Sequence, residues 1–134
     1  MKLNRGFAIA LGITALFGAA VVNAAQLGQA DVPFAFEAGG QKLDAGTYSA
    51  VSQPGGDILI RNTQTGHSAY VMTRGSDSTF DDASKLTFSC YGSKCFLSQM
   101  QFGQTRLKYN VPTSRHEKEL AQTERSEQKL IALR

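Results

Sequence analysis

Residues 85–102, KLTFSCYGSKCFLSQMQF, constrain the fold more than any other part of the chain. Aromatic and β-favouring residues flank Gly92-Ser93, a pair suited to the loop of a two-residue β-hairpin. With those two as the loop, Tyr91 lies opposite Lys94, Cys90 opposite Cys95, Ser89 opposite Phe96 and Phe88 opposite Leu97. Cys90 and Cys95 then meet at a non-hydrogen-bonded pair, where α-carbons come close enough for a disulfide. The same register puts Phe88, Cys90, Cys95 and Leu97 on one face. A slip of one residue would undo both features together, so the register is a firm expectation. A bridge closing so small a loop is worth about 2 kcal/mol.

These two cysteines are the only ones in the chain. A structural zinc site needs four ligands, and His67 and His116 stand far apart with no paired spacing. A thioredoxin-like site has two residues between its cysteines, and here there are four. A structural disulfide is the expected role, and it implies an oxidising compartment. No metal and no cofactor are expected.

The N-terminus agrees with export. Lys2 and Arg5 precede an uncharged, mostly apolar run over residues 7–22, and Val22-Asn23-Ala24 places small residues where a signal peptidase reads them. The run is short for a membrane-spanning helix. Residues 1–24 therefore read as a cleaved secretory signal, with no cysteine at the cleavage point to suggest a lipoprotein. The expected mature chain begins at Ala25, carries no membrane span, and is secreted or periplasmic. Loss of Lys2 and Arg5 lowers the formal charge from +3 to about +1. The loose group Arg106, Lys108 and Arg115 is no concentrated basic face, so no nucleic-acid partner is expected.

The rest of the mature chain is punctuated like an all-β domain. Residues 26–32 read as a polar lead-in. Val32, Phe34 and Phe36 alternate in a first strand that Pro33 consigns to a sheet edge. Gly39-Gly40 ends it. Leu43 reads as a core plug before a strand over residues 47–52, and Pro54-Gly55 fits the centre of a type II turn. Ile58-Leu59-Ile60 suggests a central strand buried on both faces, and the loop 63–66 returns the chain into a strand over 67–74. Residues 75–84 read as irregular. Residues 106–111 supply a last strand, with Leu107 and Tyr109 on one face. Ser114 and Glu117 have the spacing of a capping box, and residues 117–133 contain no glycine or proline, which predicts a polar helix.

The expectation is thus a mainly β fold: a small antiparallel β-barrel or β-sandwich of about six or seven strands in residues 25–112, with a C-terminal α-helix in residues 113–134.

No catalytic constellation is apparent. Neither histidine has a nucleophile motif around it, and both read as surface residues. Asp77, Thr79 and Asp81 have the alternate spacing of a calcium loop's first ligands, but the sixth position is Asp82 and the twelfth Phe88, where glycine and glutamate are needed. The aromatics Phe34, Phe36, Tyr48, Tyr70, Phe88, Phe96 and Phe102 could line a ligand cavity, yet a domain this size needs most of them to fill its core.

Several patterns are held in common with other proteins: Val32-Pro33-Phe34-x-Phe36, a glycine pair, then Lys42-Leu43-x-Ala45-Gly46-x-Tyr48. Lys85-Leu86-x-Phe88, Tyr91-Gly92, Phe96-Leu97-Ser98 and Val111-Pro112-x-Ser114-Arg115-x-Glu117-x-Glu119-Leu120-Ala121 continue the match. The chain in this way resembles a family of small secreted uncharacterised β-domain proteins common in acidobacteria. The resemblance covers most of the mature chain, consists of strand and turn motifs, and implies fold without implying functional residues. The family pattern does not require cysteines around Tyr91-Gly92, so the bridge reads as a local reinforcement. The function expected from all this is an exported non-enzymatic β-domain with a binding or structural role in the cell envelope, its partner an unknown protein or envelope component. A small-ligand carrier using an apolar barrel interior is the alternative.

Overall fold

The computed structural model describes residues 25–78 and 82–134; the expected signal, residues 1–24, lies outside them. The described residues form β1 (Ala25–Val32), β2 (Phe36–Ala38), β3 (Gln41–Leu43), β4 (Gly46–Ser52), β5 (Ile58–Asn62), β6 (Ser68–Val71), β7 (Arg74–Ser78), β8 (Lys85–Tyr91), β9 (Lys94–Phe102), β10 (Leu107–Asn110), α1 (Arg115–Ala121) and β11 (Glu127–Ala132). Two sheets pack face to face, one ordered β1-β4-β5-β6 and the other β11-β8-β9-β10-β7, with the small β2–β3 hairpin attached to β9. The fold is mainly β, as expected, but the described residues hold eleven strands in place of the six or seven expected, and the sheets do not close into a ring.

Alternation along the strands explains the core. Ala30 and Val32, Tyr48 and Ala50, Ile58 and Ile60, and Ala69 and Val71 come from the first sheet. Leu86, Phe88, Cys90, Leu97, Met100 and Phe102 oppose them from the second. Phe88 is fully buried, with Phe34 and Phe36 set edge-on against it, each at 5.1 Å between ring centres. Edge-to-face contact is a favourable arrangement for aromatic rings. Most of the aromatics are therefore core, but Tyr70 is 61% exposed.

The hairpin forms in the expected register. Tyr91, Cys90, Ser89 and Phe88 face Lys94, Cys95, Phe96 and Leu97 in turn, and the disulfide is closed across a Cα–Cα distance of 4.0 Å. Gly92 takes φ +62° and Ser93 stays out of the left-handed region, the φ pattern of a type II′ loop with glycine first. The turn at Pro54-Gly55 also forms, Gly56 donating its N–H to the Gln53 carbonyl at 3.2 Å.

Four local expectations are corrected. Residues 26–32 are no loose lead-in: they pair with β4 along their length, and Ala30 and Val32 enter the core. The expected strand through Phe36 breaks at Pro33, which has no amide hydrogen to give a ladder, so β1 ends at Val32 and β2 begins at Phe36. Part of the stretch 75–84 is ordered as β7, which pairs with β10.

The largest correction concerns the C-terminus. The helix expected to run to Leu133 ends at Ala121, and Glu127–Ala132 forms β11, antiparallel to β8. Lys129 and Ile131 turn inward and Leu133 is buried, whereas Leu130 faces out at 60% exposure. That period-two pattern finds a partner in the free side of β8, and sheet pairing overrides a weak helical propensity.

Besides the chain crossings from β1 to β2 and from β3 to β4, the two sheets are tied at their outer edges. On one side the chain itself passes from β6 to β7 through Met72-Thr73. On the other, Gln29 and Arg134 exchange backbone hydrogen bonds of 2.9 and 2.8 Å. The Arg134 guanidinium also grips the Asp31 carboxylate at 2.7 and 3.2 Å, which holds the Asp31 pKa below its ordinary value.

Candidate functional site

β9 changes neighbours along one edge. Near its start, Phe96 pairs in parallel with Glu37 of β2; from Gln99 onward, β9 pairs with β10. Ser98 lies at the change as the extra residue of a bulge, because Leu97 faces Phe88 while Gln99 faces Thr87. The Ser98 hydroxyl donates to the Thr87 carbonyl and the Val111 N–H donates to the Ser98 carbonyl, both at 3.0 Å. The polar groups that the bulge frees are thereby satisfied.

A groove of about 230 Å³ opens beside this bulge. It is lined by Glu37 of β2, Tyr70 of β6 and Met72 just beyond that strand, and from the segment after β10 by Val111, Pro112 and Glu117. Tyr70 of β6 and Met72 just beyond it are 61% and 69% exposed. The β2–β3 turn approaches β6 so closely that any side chain at Gly39 would collide with the Tyr70 carbonyl.

α1 brings a carboxylate to the groove. Ser114 caps the helix, its Oγ accepting from the Glu117 N–H at 3.1 Å. The reciprocal half of the expected capping box does not form. Glu117 Oε2 instead accepts from the Tyr91 hydroxyl at 3.0 Å, because the helix lies across the hairpin's outer face and Tyr91 points up beneath it. Glu117 is only 7% exposed. Burial raises its pKa and the Tyr91 bond partly offsets that; burial first, then Glu117, raises the Tyr91 pKa. Among the described residues no cation pairs with Glu117.

His116 belongs to the same surface, and it is more engaged than a free surface histidine. Its Nδ1 lies 3.0 Å from Glu37 Oε2, and its ring stands edge-on to Phe96 at 5.5 Å. His67 is exposed beside a loop. Cys90 and Cys95 are both buried in the bridge, away from the groove. Asp77 sits on β7, and Thr79 and Asp81 lie outside the described residues. Among the described residues, no group of three or more His, Cys, Asp or Glu side chains could hold a metal ion. No helix there is long and apolar enough to cross a membrane.

Sequence reasoning did not find the cluster of Glu37, Tyr91, His116 and Glu117. Glu37 and His116 are 79 positions apart and Tyr91 and Glu117 are 26 apart, so no local spacing connects them. The capping-box pattern singled out Glu117 for a different task. Comparison of the chain with protein-family profiles, curated proteins and solved structures finds no match.

Proposed function

We propose that the chain is an exported, non-enzymatic β-domain that acts by binding an envelope component, and that the groove beside Ser98 is its contact surface. The carrying observation is the open groove with Tyr70 and Met72 exposed along it, apolar surface adjoining a concave site. The side chains best suited to chemistry are otherwise occupied: both cysteines in the bridge, and His116 on Glu37. A disulfide supports an oxidising compartment, and the resemblance to secreted acidobacterial proteins points the same way. The carrier alternative, a ligand inside an apolar barrel, would need the space between the sheets that Phe36, Tyr48, Phe88, Met100 and Phe102 occupy.

Photo-crosslinking in the native host tests this reading. Benzoylphenylalanine at Met72 should give a discrete adduct in the envelope fraction, and the same residue at Arg61, exposed on β5, should not. No adduct from position 72, or equal adducts from both, sinks the proposal. Intact mass of the exported protein should place its N-terminus at Ala25.

A further inference from the structure

The groove has a chemical preference that follows from its charges. Two carboxylates, Glu37 and Glu117, border it, and among the described residues no lysine or arginine does. Glu37 has His116 as its partner, whereas Glu117, a residue only 7% exposed, has a neutral phenol for company. A buried carboxylate without a cation is costly, and a cation brought to it recovers part of that cost. The apolar residues Tyr70, Met72, Val111 and Pro112 suit a hydrocarbon stem leading to that charge. At about 230 Å³ the groove is smaller than sites that hold drug-sized ligands and suits one long side chain.

We propose that the groove receives a lysine or arginine side chain from a partner polypeptide, its charged head meeting Glu37 and Glu117 and its stem and flanking residues lying on Tyr70, Met72, Val111 and Pro112. This rests on the binding reading above and names the partner's chemistry.

The test is titration of the purified, ¹⁵N-labelled protein with three capped pentapeptides: Ala-Val-Lys-Val-Ala, the same with norleucine for lysine, and the same with glutamate. The lysine peptide should shift the amide resonances of Tyr70, Met72, Val111 and Glu117. The norleucine peptide, which keeps the stem and loses the charge, should bind about tenfold more weakly, the value of one charge-assisted contact. Glu117→Gln, which preserves the Tyr91 bond, and Glu37→Gln should each weaken the lysine peptide, while Glu119→Gln, an equal charge change on the exposed side of α1, should not. Equal affinity for the norleucine or glutamate peptide overturns the cation preference and leaves the groove a binding surface. Hexylamine binding as tightly as the lysine peptide overturns the polypeptide assignment. If no groove resonance moves with any probe, both this inference and the groove's place in the binding reading fall.

Discussion

The β8–β9 hairpin and β11 lie side by side in one sheet, yet they are specified in opposite ways. The hairpin carries its own instructions. Gly92-Ser93 sets the loop, the loop sets the register, and the register brings Cys90 to Cys95 and Phe88 to Leu97. β11 carries almost none: its sequence, EQKLIA, is compatible with a helix, and only the unpaired side of β8 makes it a strand. Local chemistry determines the first and a distant partner determines the second.

The sharpest test of the hairpin's primacy is Phe88→Ala. Phe88 is fully buried beneath Phe34 and Phe36, so urea unfolding should show a loss of about 3–5 kcal/mol. A loss under about 1 kcal/mol would mean that the hairpin is not the fold's anchor.

Next comes a test of β11 itself. With β11 a strand, Leu133 just past its end is buried and Leu130 is exposed; in a helix those two residues, three apart, would share a face. Leu133→Ala should cost about 2 kcal/mol, and Leu130→Ala should stay within about 0.5 kcal/mol. Equal effects in denaturant melts would break the strand assignment.

The bridge should matter to a similar or smaller extent. The double variant Cys90→Ala with Cys95→Ala should lose about 2 kcal/mol or less, while cross-strand nuclear Overhauser contacts between Phe88 and Leu97 persist. Their disappearance would show the disulfide, and not the turn and core, to be setting the register.

The smallest effect lies at the seam between the two regions, where Tyr91 of the hairpin meets Glu117 of α1. The Glu117 pKa is raised in the folded protein, so its protonated form is favoured there. That contribution is fully present below the ordinary glutamate pKa and is lost as pH rises through the raised value. Glu117→Gln should therefore gain on the wild type as melts are moved from about pH 4 to about pH 7. A gain that shrinks over that interval would reverse the sign and exclude burial as the main cause.

What could be read in advance follows from the same contrast. The hairpin, the Pro54-Gly55 turn and the central place of β5 were legible because each depends on residues a few positions apart. β1 was missed because Gln26, Gly28, Gln29 and Asp31 look like a solvated tail until β4 is placed beside them. The groove was illegible for a stronger reason. Its residues come from β2, β6, β9 and the 111–117 segment, and they adjoin only because β9 exchanges one neighbour for another at a single bulged serine.

The two outer edges at which the sheets meet also differ under mechanical load. One is a peptide linkage through Met72-Thr73; the other rests on the hydrogen bonds and ion pair between Arg134 and the Gln29 to Asp31 stretch. A pull applied at Arg134 would strip β11 from β8 pair by pair, starting from Ala132 opposite Lys85 and ending with Glu127 opposite Cys90. There the peeling reaches a strand sewn covalently to its neighbour. The bridge keeps β8 and β9 together, while the released chain leads back into α1 and β10, which hold to that hairpin by hydrogen bonds and packing.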